Sequence, residues 1–248
     1  MDRKIRVAAV SYLNTKPLIY GFEKGQMAEQ MELIFEYPAK LAAMLLNDEV
    51  DIGLIPVAVI PKLKEHHIIS DYGIGAIGEV ASVCLFSNVP IGEIQSVYLD
   101  YQSRTSVALL KILLKQYWKI SPALIAAEAG YEEKINGTVA GLVIGDRAFA
   151  QRKKSRYIYD LAIAWKEMTG LPFLFAAWVS NKKLPVDFIA AFNKATSVGL
   201  NHIDEIVSQN KYDNDDLHQY YTENINYELD EKKREALTLF LHLSLSDE

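Results

Sequence analysis

Cysteine is all but missing from these 248 residues. Cys84 stands alone, so no intrachain disulfide and no multi-cysteine metal site can form. No uninterrupted apolar stretch approaches the ~20 residues that span a bilayer, and no membrane partner is expected. Neither charge sign dominates: 26 Lys and Arg face 32 Asp and Glu, a net charge of −6. A nucleic-acid partner is not expected either, because phosphate binding needs a clustered positive field. The one basic run, QRKKSRY from Gln151 to Tyr157, is short and reads as a solvated helix end. The opening MDRKIRVAAV enters a strand pattern at once, without an apolar signal core or a small-residue cleavage site. A cytoplasmic location is the expectation.

The usual catalytic constellations are missing too. The chain has no G-x-S-x-G, no Gly-rich phosphate loop followed by Lys, and no dinucleotide fingerprint. His66 and His67 fall in an expected surface loop, and His202, His218 and His242 on expected C-terminal helices. None has metal-ligand spacing with a second His or a carboxylate. Neither a metal nor an organic cofactor is expected. Cys84, inside an apolar run, reads as a small buried hydrophobe rather than a nucleophile.

Half of the residues are hydrophobic and 23% are charged, enough for one large domain or two lobes of about 100 residues each. Ile5–Val10, Met31–Tyr37 and Val50–Pro56 read as strands, being short, β-branched or aromatic, and bounded by turn formers. Helices are expected over Thr15–Phe22 and from Pro38, where Leu41, Ala42, Met44 and Leu45 make a stripe. A second round follows: strand Ser96–Asp100, helix Ser103–Trp118, strand Ala140–Asp146, a short helix and strand Tyr157–Leu161. Leu171–Lys182 is a long apolar strand, and the remainder reads as mostly helical. Strands alternating with helices imply parallel sheets covered on both faces. Two such rounds joined by crossings at Ser82–Ser87 and Phe175–Val179 predict an α/β, two-lobed fold with an interlobe cleft. The first lobe would hold residues 1–86 and 176–248, the second 87–175.

Ligands of open parallel sheets sit beyond the carboxyl ends of strands. Four polar segments have that address: SYLNT (Ser11–Thr15), Ile55–Pro56, DYQSRTS (Asp100–Ser106) and Ile144–Asp146. Each has a plainer role available. Asn14 and Thr15 alone read as helix caps, and Asp146 as the cap of the helix after it. Ser103, Thr105 and Ser106 also start a helix, and there the two roles converge. Free N–H groups and hydroxyls at a helix start suit a carboxylate or phosphate. Arg104 either adds charge or faces solvent. The residues alone support a hydroxyl-and-amide-lined site for a small anion, and binding without chemistry would satisfy them.

The blocks VSYLNTKPLIYGF, VDIGLIPVAVI, ASVCLFS, YLDYQSRTSVALLKILL and AGLVIGDRAF together resemble the chorismate dehydratases of menaquinone biosynthesis by the futalosine route. The resemblance runs from about Ile5 to Leu245. It implies a periplasmic-binding-protein type II fold and dehydration of chorismate to 3-[(1-carboxyvinyl)oxy]benzoate, with chorismate the small-molecule partner. By motif match it carries over Asn14 and Ser82 as catalytic residues. Ser11, Ser103, Thr105, Gly145 and Asp146 carry over less directly, as carboxylate-binding or lobe-closing elements; Thr15, Ile55, Pro56 and Arg104 join them by position. The family motif often has a basic residue where Ala81 stands here. For the base that takes the proton there are two candidates, the substrate's own enolpyruvyl carboxylate and Asp146. A solute-binding protein or the ligand-sensing domain of a regulator would share the fold, so fold alone does not choose among them.

Overall fold

The computed structural model describes residues 3–210 and 216–245. The expectation of helix to the end of the chain falls outside the described residues at 211–215 and 246–248. In chain order the elements are β1 (Ile5–Ala9), α1 (Lys16–Glu23), β2 (Met31–Phe35), α2 (Pro38–Leu46), β3 (Ile52–Pro56), β4 (His67–Ala76) and β5 (Val83–Ser87). Next come β6 (Ser96–Leu99), α3 (Arg104–Ile112), β7 (Ala123–Ala126), β8 (Val139–Ile144), α4 (Asp146–Arg152), β9 (Tyr157–Asp160) and α5 (Leu161–Thr169). The chain closes with β10 (Phe173–Ser180), α6 (Val186–Val198), α7 (Ile203–Gln209), α8 (Leu217–Gln219), β11 (Asn226–Glu228) and α9 (Glu231–Leu245).

The chain divides into two compact units, Met1–Gly75 with Leu174–Glu231, and Ala76–Phe173 with Lys232–Glu248. Residues 76–86 and 232–245, placed in the first lobe by sequence, group with the second unit, and residues 174–175, placed in the second lobe, group with the first. The expected crossing Ser82–Ser87 lies wholly inside that unit, since β5 pairs with both β8 and β9. The chain changes unit at Gly75–Ala76 and Phe173–Leu174, and a third time at Glu231–Lys232. Aromatic packing accounts for the third: Phe240 of α9 meets Phe173 at 5.1 Å and Trp165 at 6.3 Å between ring centroids.

The first unit holds a six-stranded sheet in the order β11-β4-β10-β3-β1-β2. β1 runs parallel to β2 and β3, whereas β10 is antiparallel to β3 and β11 to β4. The second holds five strands, β7-β6-β8-β5-β9, with β5 antiparallel to both neighbours. Both sheets are thus mixed, not parallel throughout. A βα alternation encodes parallel neighbours, but strands that return without a crossover helix pair antiparallel.

In the first unit α1 and α6 meet backbone to backbone. A Cβ on Gly21 would lie 2.1 Å from the Ala195 carbonyl oxygen, and one on Gly199 2.0 Å from that of Pro17. Phe22, Phe192 and Trp178 fill the space between these helices and β10, edge to face around Trp178. Just before β3, buried Asp51 accepts hydrogen bonds from the Arg6 backbone N–H, Arg3 and Lys182. In the second unit Cys84, Phe86, Val143, Tyr131, Ile135 and Ala148 make one cluster over the β5–β8 pair. The expected helix Ser103–Trp118 is α-helical only to Ile112. Its last turn widens, with the Trp118 amide bonded to the Leu113 carbonyl at 2.9 Å.

Candidate active site

In the first unit SYLNT fills the turn beyond β1. Leu13–Thr15 coil into a single tight turn, and Pro17 opens α1 where a missing N–H costs nothing. Leu13 and Thr15 are buried and anchor the turn; Asn14 between them is half-buried and Ser11 exposed. Neither Asn14 nor Thr15 caps α1 through its side chain, so the capping role is not the one these residues play. Among the described residues the only hydrogen bond to the Asn14 side chain comes from Thr15 Oγ1, at a weak 3.4 Å. Its amide is uncommitted to the fold.

Ile55 and Pro56 are not in a loop. They end β3, paired with Ala177 and Ala176 of β10, and both are buried. Ile55 is fully inside the core.

In the second unit one sheet edge collects the rest. β6 and β8 are parallel, so Asp100–Thr105 and Gly145–Asp146 leave from the same end. β5 is antiparallel to β8 with Val83 opposite Ile144, which brings the residue before β5 to that edge as well. That residue is Ser82. It lies in a turn rather than on the strand, is fully buried, and its carbonyl accepts the Gly145 N–H at 2.8 Å.

Ser103 caps α3: its hydroxyl accepts the Ser106 N–H at 3.0 Å and donates to Ser106 Oγ at 2.9 Å. Thr105 is buried and Arg104 exposed. The positive end of the helix dipole at this point favours an anion. At α4 the cap position belongs to Gly145, not Asp146. Gly145 has φ 64° and ψ −151°, a region that essentially only glycine occupies, and Asp146 follows as the first helical residue, half-buried.

Sequence reasoning missed the charged network at this edge. Arg147 donates to Asp100 Oδ2 at 2.7 Å, to Glu132 at 2.6 Å and to Gln102 at 3.1 Å, and its guanidinium lies 5.2 Å from the Tyr101 ring. Tyr131 donates to Asp100 at 2.8 Å, while the other Asp100 oxygen accepts the Gln102 amide at 2.7 Å. Burial pushes the Asp100 carboxyl above its usual value, and Arg147 beside it pulls the other way. Burial, and then Asp100, push the Tyr131 hydroxyl upward. Asp at a strand end and Arg in a helix's first turn look like surface groups, so no local pattern marks them. Arg152, read as part of a solvated run, instead reaches the Ala81 carbonyl at 3.1 Å and pairs with Glu79. Among the described residues no group of three or more His, Cys, Asp or Glu could hold a metal ion. No helix among them is long and apolar enough to cross a membrane.

A family model described as menaquinone biosynthesis matches residues 5–244. The chain belongs to the menaquinone biosynthesis family. Within it, the chain is similar to a protein named chorismate dehydratase from Thermus thermophilus, at 28% identity over 92% of this chain and 91% of that one. A second chorismate dehydratase, from Campylobacter jejuni, is 28% identical over 94% of each. Among solved structures, protein AF1704 of Archaeoglobus fulgidus superposes with a TM-score of 0.77 at 17% identity, covering 98% of this chain and 97% of its own. The Candida albicans CA3427 gene product, described as having the generic periplasmic binding protein fold, gives 0.63 at 12% identity over 98% and 90%. At these identities the likeness shows the fold alone: this menaquinone biosynthesis family member has the periplasmic-binding-protein fold. Asn14, Ser82 and the α3 and α4 starts all lie within the stretch that the family model covers.

Proposed function

We propose that this protein is a chorismate dehydratase, a hydro-lyase that removes water from chorismate to give 3-[(1-carboxyvinyl)oxy]benzoate. What carries the reading is the family match across residues 5–244, together with relatives bearing that name over nearly the whole chain. The reaction breaks the C3–H and C4–O bonds and forms the C3–C4 double bond that makes the ring aromatic. The proton and the hydroxide leave together as water. The C3 proton is activated because charge developing at C3 spreads through the adjacent double bond toward the ring carboxylate.

The chemistry asks for a base, an acid and orientation. The substrate's enolpyruvyl carboxylate can reach the C3 proton through a ring of about six atoms, which replaces a protein base. In this reading Asn14 holds that carboxylate with its side-chain amide, which no cap occupies. Ser82 holds the C4 hydroxyl as it departs. The α3 start, with Ser103 and Thr105, receives the ring carboxylate, and Arg104 adds positive charge. Ser11, Thr15, Pro56, Gly145 and Asp146 complete the set of residues assigned to substrate binding. Asp146 ranks behind the substrate carboxylate as base. No step calls for a metal or an organic cofactor.

The test is direct. Purified protein incubated with chorismate should accumulate a product lighter by one water, with the ultraviolet absorbance of an aromatic enol ether. A binding protein would leave chorismate unchanged beyond its spontaneous decay, and that result would remove the proposal.

A further inference from the structure

The residue before Ser82 has a backbone that alanine rarely adopts. Ala81 has φ 61°, and the Ser82 N–H closes on the Val80 carbonyl at 2.7 Å. A three-residue turn with its centre at positive φ is the rare and strained form of the γ-turn. Such a turn persists only where its surroundings over-determine it.

Here the surroundings are two side chains from distant parts of the second unit. Asp160 ends β9 and caps α5, its Oδ1 accepting the Ala162 and Ile163 N–H groups at 2.9 and 3.2 Å. Its Oδ2 turns the other way and accepts the N–H groups of Val80 at 3.0 Å and Ala81 at 2.9 Å. Both of these donors are buried and would otherwise lack an acceptor. Arg152 donates to the Ala81 carbonyl at 3.1 Å and pairs with Glu79 just upstream. On the far side, the Ser82 carbonyl is held by the Gly145 N–H. Every backbone N–H and carbonyl from the Val80 N–H to the Ser82 carbonyl therefore has a partner, that of the Val80 carbonyl being the Ser82 N–H of the turn itself.

A helix cap needs only one carboxylate oxygen. The second oxygen of Asp160 is spent on the turn, and the strain it supports falls on the residue next to Ser82. We propose that Asp160 is a positioning residue, whose carboxylate holds the strained Val80–Ala81–Ser82 turn and thereby places Ser82, whose buried hydroxyl rests on the Val80 carbonyl at a weak 3.4 Å, for its part in the reaction. The proposal deepens the chorismate reading and rests on it for the role of Ser82. Asp160 itself touches no reacting atom. It acts through the Val80 and Ala81 amides.

The test compares wild type, Asp160→Asn, and Asp160→Asn combined with Ala81→Gly. Asn keeps one oxygen for the cap but replaces the other with an N–H₂ group that cannot accept from the turn. Glycine at 81 removes the penalty of positive φ. Asp160→Asn should lower kcat for chorismate by ~30-fold or more with KM changed less than about threefold, and Ala81→Gly should restore roughly tenfold of that loss. Retention of kcat within about threefold, or a loss that glycine does not relieve, would overturn the proposal. Amide hydrogen exchange reads the turn without any substrate. In Asp160→Asn the Ala81 and Ser82 amides should lose ~100-fold or more of their protection while the Leu85 amide in β5 keeps its own. Uniform loss across β5 would mean a purely structural role and would equally overturn it. If wild type fails to convert chorismate, the chorismate reading falls by itself, and exchange at Ala81 and Ser82 still decides the turn.

Discussion

Arg147 donates to Asp100 Oδ2 at 2.7 Å and so fastens the start of α4 to the end of β6, 47 residues earlier. The Asp100 side chain is fully buried, while Arg147 keeps 29% of its side-chain exposure. Removing the cation strands a buried carboxylate. Arg147→Met should cost about 2–4 kcal/mol of unfolding free energy, read from denaturant titration. Arg147→Lys should fall between, because one ammonium cannot bridge Asp100 and Glu132 as the forked guanidinium does. A wild-type stability for Arg147→Met would show that the network contributes nothing.

Gly145 occupies a backbone region closed to other residues, and its N–H holds the Ser82 carbonyl. Gly145→Ala should destabilise the protein by about 1–3 kcal/mol. It should also reduce turnover by roughly tenfold or more, since a shift of the turn moves Ser82 off its target. Thermal melts and steady-state kinetics on the same preparation check both halves.

Asn14 separates stability from chemistry. A capping Asn loses about 0.5–2 kcal/mol on truncation to Ala, but this side chain makes no cap bond, so Asn14→Ala should stay below that range. Turnover should nevertheless drop by ~100-fold, and Ser82→Ala should likewise impair it with little loss of stability. Near-normal activity in both variants would make Asp146 the next residue to test.

Cys84 should resist thiol reagents in the folded protein. Its side chain is fully buried, and desolvation, followed by the nearby Asp160 carboxylate, pushes the thiol well above its ordinary pKa. Thiolate is the reactive form, so labelling at about pH 8 should proceed only as fast as the unit opens and become immediate in denaturant. Rapid labelling of native protein would contradict the burial.

Glu205 supplies a pH dependence in the first unit. Hydrogen bonds from Lys24 and Tyr20 lower its carboxyl to about 2. A depressed folded value means that the folded state binds this proton more weakly than the unfolded chain does. The stabilisation is therefore complete above the unfolded value of 4.5, and lost as pH falls from there through about 2. The stability difference between wild type and Glu205→Gln should be present at about pH 7 and vanish across that window. The site is exposed, so added salt should shrink the difference.

What could be read in the sequence was whatever short windows encode. Periodicity and turn formers sufficed for β1, α1, α2, β3 and α3, and the strand-end rule picked out the loops carrying Asn14, Ser103 and Gly145. Elements without a local signature escaped. β7 is exposed along its whole length, so no burial pattern marks it. β4 carries Gly73, whose hypothetical Cβ would sit 2.7 Å from the Ala176 carbonyl oxygen; the pairing demands the residue that weakens the strand signal. Tertiary structure alone decided the antiparallel course of β5, which carries Ser82 to the edge where β8 ends. The same holds for the transfer of α9 to the second unit through Phe240, and for the contacts of Asp160 with Ala81 and Arg147 with Asp100. These depend on partners dozens of residues apart, joined by burial and by the need to satisfy buried N–H groups and charges, which no window of neighbouring residues can express.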